Sequence, residues 1–180
     1  MDFLLPNFSI SFQNMWLLPL LVLVSSTVMV LLIPRYNLSR FINQPKLRYS
    51  TLINKTFYWF LMLLPVFLPY SSNKIFLYIG LAIFLLGFIA YSLSIFYFAI
   101  SEYDKVVTSG IYRISRHPVY LSFFIIFLGI SISSNSIILF IFNVFYFINS
   151  ILIMKEEEKA CIEQYGNEYL NYMKKVRRIF

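Results

Sequence analysis

Hydrophobic positions in this chain fall in long unbroken blocks separated by short polar breaks, without the alternation that marks a half-buried strand. No charge occurs between Asp2 and Arg35, Lys55 and Lys74, Lys74 and Glu102, or His117 and Lys155. A bilayer-spanning helix needs about 20 apolar residues, fewer when flanking side chains snorkel. The blocks therefore predict spans over Met15–Pro34, over Thr56–Pro69 and over Ile75–Ile100. The second is short and aromatic, and Pro65 and Pro69 bend or end it. The third carries Gly80 and Gly87, small enough for close helix contact. The uncharged stretch Pro118–Met154 is long enough for two more helices, folded at the polar turn Ser131–Ser136. The last of them continues through KEEEKACIEQY until Gly166 stops it. The expected fold is all-α, an integral membrane bundle of about five transmembrane helices with a cytoplasmic C-terminal helical tail.

Composition agrees with the pattern. The 180 residues are 59% hydrophobic and 13% charged, against roughly 45–50% and about 25% in soluble domains. A soluble protein of this size has too little interior to hide so much apolar surface. The net charge of +7 does not point to nucleic acid, because the basic residues sit in the breaks, where they meet lipid headgroups. With the N-terminus outside, all but Lys74 of the 15 Lys and Arg fall on the inner side, which favours an N-out, C-in, multi-pass arrangement. The single cysteine, Cys161, excludes an internal disulfide and a multi-cysteine metal site. No metal-ligand cluster, nucleophile triad or phosphate-cradling glycine loop is present, so no metal is expected.

Three inner segments could carry chemistry. The basic run Pro34–Asn54 reads first as topology and anionic-lipid contact. The segment Ser101–Tyr120 is denser in useful side chains. Pro118 is placed to open a helix at its first position, which sets His117 and Arg116 at a helix N-terminus, where free N–H groups and the dipole attract an anion. The tail carries Glu156, Glu157 and Glu158 close to the expected membrane face. Such a run is usually a solvated helix face. Here its helix packs beside the one that follows His117, so at least one carboxylate should point back at the Ser101–Tyr120 loop. Carboxylate opposite Arg and His makes a polar pocket suited to a zwitterionic ligand.

The stretch VVTSGIYRISRHPVY, then a hydrophobic hairpin, the paired acids and YGNEYLNYMKKVRR, resembles the membrane methyltransferases of the isoprenylcysteine carboxyl methyltransferase family. Their superfamily includes the phospholipid N-methyltransferases. The likeness covers Val106–Arg178, and the first three spans match in hydropathy alone. It implies one membrane methyltransferase domain, 1–180, with three N-terminal spans in 1–100 and a cofactor-binding half in 101–180. It also implies S-adenosylmethionine as cofactor. His117, Pro118, Val119 and Tyr120 fall on the family's main cofactor-contact stretch, Tyr112 on a second contact, and Lys105, Val106 and Val107 on the preceding one. Glu157, nine residues before Gly166, matches the carboxylate that closes over the cofactor. A sulfonium favours aromatic faces and carboxylate, and the cofactor's own carboxylate favours the helix start beside His117 and Arg116.

Two positions depart from the family. Its Tyr-x-Gly continues here as Tyr120-Leu121-Ser122, and the substrate-orienting arginine of the prenylcysteine enzymes is replaced by Ile153. Lys155 is the nearest cation and the expected partner of an anionic acceptor, with Glu157 and His117 the other expected catalytic groups. The acceptor implied is lipophilic: first a prenylated cysteine carboxylate, which needs no general base. The alternatives are a phospholipid amine, which must lose a proton to His117 or Glu156–Glu158, and a non-catalytic lipid-binding scaffold. The expected site lies at the cytoplasmic face, entered sideways from the bilayer past Gly80 and Gly87 or the bent second span.

Overall fold

Short polar breaks between apolar blocks leave each helix little freedom over where to begin and end. In the computed structural model, which describes residues 14–35, 37, 48–103 and 105–179, six α-helices are laid out among the described residues. They are α1 (Leu17–Leu32), α2 (Arg48–Leu63), α3 (Lys74–Ala99), α4 (Pro118–Ser133), α5 (Ile137–Tyr165) and α6 (Asn167–Lys175). No strand occurs among the described residues, apart from an isolated bridge between Asn14 and Pro69. The all-helical expectation holds.

The stops follow the local chemistry. Asn73 caps α3 by accepting from the Ile75 N–H at 2.9 Å. Pro118 occupies the first turn of α4. The hairpin turns at Asn135, whose φ of 52° is one that asparagine tolerates. Gly166 ends α5 at φ 54°. One boundary differs from expectation. The second helix starts at Arg48, inside the segment read as a basic loop, and gives way at Leu64–Phe67 to a 3-10 turn containing Pro65. Asn54, expected in that loop, is a buried helix residue. Arg40 and Lys46 lie outside the described residues.

α4 is the central element. It packs most closely on α3 and also on α5; α5 carries α2, and α1 touches both α3 and α2. The α3–α4 contact is close because both helices present glycine. A Cβ on Gly129 would lie 2.7 Å from the Gly80 carbonyl oxygen, and one on Gly87 would lie 2.7 Å from the Ile126 nitrogen. This close packing corrects one expectation. The surfaces of Gly80 and Gly87 are filled by α4, so no lateral opening for a lipid chain lies there.

The bundle is apolar on its outside. Leu31, Leu32, Leu85, Leu86 and Phe96 are exposed, whereas Ser94, Ser122, Ser131, Asn143 and Ser150 are buried. That distribution suits hydrocarbon rather than water as the surrounding solvent. α3 and α5 are long and apolar enough to cross a membrane, and α1 and α4 are shorter apolar helices of 16 residues.

Candidate active site

The site forms where the start of α4 meets the last third of α5 and the segment after α6. Gly110 begins it. Its φ of 56° bends the chain into the 3-10 turn Gly110–Arg113, and a Cβ there would meet the Tyr97 ring. The turn buries Tyr112, whose carbonyl accepts from the Tyr172 hydroxyl of α6 at 2.6 Å. Ser115 then fixes the approach to α4. Its hydroxyl donates to the Arg178 carbonyl at 2.8 Å and accepts from the His117 N–H at 3.2 Å. The Arg116 N–H donates to the Arg177 carbonyl at 3.1 Å.

Glu157 and Glu158 sit side by side on the buried face of α5, at 8% and 3% exposure. His117 lies between them, with Nδ1 3.5 Å from Glu157 Oε2 and Nε2 3.2 Å from Glu158 Oε1. An imidazole with a carboxylate at each nitrogen is best satisfied when both nitrogens carry hydrogen. Burial disfavours that charge, but the hydrogen bonds and charges of Glu157 and Glu158 outweigh it, and His117 titrates above its ordinary value. The Tyr120 hydroxyl, one turn into α4, donates to Glu157 Oε1 at 2.6 Å.

Glu158 is the hub of the second half. Arg116 reaches its Oε1 through Nε at 3.0 Å and Nη2 at 2.8 Å, and Arg178 grips both oxygens through Nε at 3.0 Å and Nη2 at 2.6 Å. Burial alone would raise this carboxyl. Hydrogen bonds from His117 and Arg178, with the charges of His117 and Arg116, instead hold it well below the usual carboxylate range. Arg116 also donates through Nη1 to the Met173 and Val176 carbonyls, at 3.1 and 3.0 Å. Its guanidinium is committed to holding α6 and the segment beyond it.

The sequence-derived residues therefore separate into groups. His117, Pro118, Tyr120, Glu157 and Arg116 converge, with Val119 beside them in the first turn of α4. Tyr112 is buried behind them. Val106 is held by its N–H to Glu168 Oε1 at 3.2 Å, and Val107 packs against the core. Lys105 is exposed and pairs with Glu102 at 2.7 Å. Lys155 is exposed and lies about 200° around α5 from Glu157, so the structure does not bring it to the cluster. Ile153, at the family's arginine position, is 4% exposed. Glu156 turns outward to Lys159 at 2.8 Å. Sequence reasoning missed Arg178 and the distinct role of Glu158. The signal was present in the doubled acid and the closing Arg-Arg of the tail.

A groove of about 460 Å³ flanks the cluster, lined by Arg116, Asn167, Leu170, Asn171, Met173 and Lys174.

With that geometry in view, the likeness to known proteins is specific. A sequence model of the phospholipid methyltransferase family matches residues 74–168, from the start of α3 into α6. The chain belongs to this family, and so to the superfamily of integral membrane methyltransferases that also holds the isoprenylcysteine carboxyl methyltransferases. Compared with curated proteins, the chain gives no match. Family membership supports a membrane-associated methyltransferase acting on a lipid-type acceptor.

Proposed function

We propose that this chain transfers a methyl group from S-adenosylmethionine to the amine of a phospholipid, at the cytoplasmic face of a membrane crossed by five helices with the N-terminus outside. The donor set fits the cofactor. Carboxylate and aromatic faces at Glu157 and Tyr120 suit a sulfonium and an ammonium. The helical ladder of α4 begins with the Leu121 N–H on the His117 carbonyl, leaving the first-turn N–H groups of Val119 and Tyr120 for a carboxylate. When bound, the cofactor supplies an electrophilic methyl on a sulfonium whose sulfur leaves as a neutral thioether.

The protein's task is to align, to exclude water and to move a proton. A protonated amine must shed hydrogen before its lone pair can attack. Glu157 can receive that proton at Oε2, and His117, with Nδ1 3.5 Å from that oxygen, steadies the carboxylate's charge before transfer. Tyr120 holds the other oxygen of Glu157 and fixes its direction.

The observation that carries the choice of acceptor is the absence of a cation on the Glu157 face of α5. Ile153 is buried where an arginine would orient a carboxylate, and Lys155 faces away. A carboxylate acceptor would meet Glu157 and Glu158 without a counter-ion from that helix, whereas an amine finds carboxylate and base together. The test is transfer from labelled S-adenosylmethionine in purified protein. Label in phosphatidylethanolamine supports this reading. Label in a prenylated cysteine instead overturns the amine assignment, and absence of both transfer and cofactor binding leaves a lipid-binding scaffold.

A further inference from the structure

α6 has two faces. Tyr169 and Tyr172 are buried against the rest of the protein. Asn167, Leu170, Asn171 and Lys174, spaced three and four residues apart, form one exposed stripe. With Arg116 and Met173, that stripe lines the groove of about 460 Å³ beside the cluster. The groove is polar and positive: two cations and two side-chain amides face it, and no carboxylate lines it. Arg116 is its fixed part. The side chain is 8% exposed, and Glu158 and the Met173 and Val176 carbonyls hold the guanidinium in place. Those bonds engage the Nε hydrogen, both hydrogens of Nη1 and one of Nη2, which leaves one of the five donors outside them. Glu158 does not cancel the positive charge, because Arg178 binds the same carboxylate. Two arginines share one acid.

We propose that this groove is a second binding site, for a phosphate ester, held by Lys174, Asn167, Asn171 and the remaining Arg116 hydrogen. Several donors around one opening match the many acceptor oxygens of a phosphate better than the two of a carboxylate. Leu170 and Met173 give the attached carbon skeleton an apolar wall, and the volume is that of a small-molecule pocket. Arg116 stands two residues before Pro118, where the apolar α4 begins, so the groove opens at the depth of lipid headgroups. Two ligands share this chemistry: the headgroup of an anionic phospholipid and a water-soluble phosphate ester. The groove is separate from the methyl-transfer site. Arg116 reaches Glu158, Glu158 reaches His117, and only His117 reaches Glu157. The inference therefore goes beyond the proposed reaction and does not rest on it.

The experiment measures binding to the full chain in neutral detergent, at roughly physiological salt so that remote charges are screened. Three probes are titrated: phosphatidylglycerol, diacylglycerol as the same skeleton without phosphate, and glycerol 3-phosphate as the water-soluble ester. At least one phosphate probe should bind more tightly than diacylglycerol, and the tighter of the two names the source. Lys174→Gln should weaken that binding about tenfold or more, the worth of a hydrogen bond to a charged group. Lys175→Gln removes the same charge about 100° further round α6 and outside the groove, and should change it by less than about twofold. Asn171→Leu keeps the charge and removes an amide, so it should weaken binding too. Thermal midpoints near wild type show that the variants fold, as expected for exposed positions. Equal losses at Lys174 and Lys175 overturn the site in favour of general attraction to a basic surface. Binding of neither phosphate probe above diacylglycerol overturns it outright.

Discussion

Tyr120 and Glu157 are 37 residues apart in the chain and joined by a 2.6 Å hydrogen bond, phenol to carboxylate. The bond ties the first turn of α4 to the last third of α5 and leaves Glu157 Oε2 facing His117. Replacing either partner should loosen the wall of the proposed cofactor site. Glu157→Gln and Tyr120→Phe should each weaken S-adenosylmethionine binding by roughly 1.5–3 kcal/mol, about tenfold or more. Glu156→Gln should change little, since Glu156 turns outward to Lys159. Calorimetric titration with S-adenosylhomocysteine measures all three, and equal losses at Glu156 and Glu157 would contradict the register.

Glu158 carries a structural load instead. Two arginines and His117 converge on it in a buried setting, so its loss leaves positive charge without a partner. Glu158→Gln should lower stability by about 3–5 kcal/mol, seen as a large drop in the thermal midpoint in detergent.

The same cluster sets a pH window. Glu158 titrates below its ordinary 4.5, so its contribution is complete above that pH and is lost as pH falls through the lowered value. His117 titrates above its ordinary 6.5, so its contribution is complete below that pH and is lost as pH rises through the raised value. The cluster therefore stabilises most between pH 4.5 and 6.5. Midpoints measured across pH should show this plateau, and His117→Gln should flatten its alkaline limb while sparing the acid one.

How much of this was legible in the sequence depended on whether one residue type could decide the matter locally. Pro118 and Gly166 mark helix boundaries by their own backbone limits, and both stand where expected. The start of α2 was not legible. Arg48–Lys55 is polar and basic, so it reads as a loop, and it becomes helical because Asn54 and its neighbours bury against α5. At the site, the family resemblance, which places its carboxylate nine residues before Gly166, pointed to Glu157. The division of labour between Glu157 and Glu158 depends on Arg178, which reaches back 20 residues. No local periodicity encodes such a return.

Glycine at the α3–α4 contact offers a test of packing alone. A side chain at Gly129 would run into the backbone of Phe84 and the Gly80 carbonyl, which cannot move without separating the helices. Gly129→Val should cost at least the 1–3 kcal/mol typical of overpacking. Gly166→Ala meets no neighbour but is strained by its positive φ, so it should cost less. Thermal unfolding in detergent ranks the two, and a milder effect at Gly129 would contradict the close approach.

Cys161 reports orientation. It is half-buried on α5, one turn past Glu157. In the N-out, C-in arrangement a membrane-impermeant maleimide should label it in inverted vesicles and not in intact cells. Labelling from outside would move the whole cluster to the other face.

Lys155 separates the two acceptor chemistries. Its side chain is exposed on the face of α5 opposite Glu157, at a depth where a snorkelling stem reaches headgroups. If the acceptor were a carboxylate, this would be the nearest cation of α5 able to replace the arginine absent at Ile153, and Lys155→Met would raise the acceptor KM. With an amine acceptor held by Glu157, the same substitution should leave KM, kcat and cofactor affinity within about twofold, as surface changes remote from a site usually do. Glu157→Gln assayed beside it provides the positive control, because it should slow transfer to the amine even at saturating cofactor. A Lys155→Met protein with a raised KM for phosphatidylethanolamine would show that the outer face of α5 takes part in acceptor binding, and would count against the inward site.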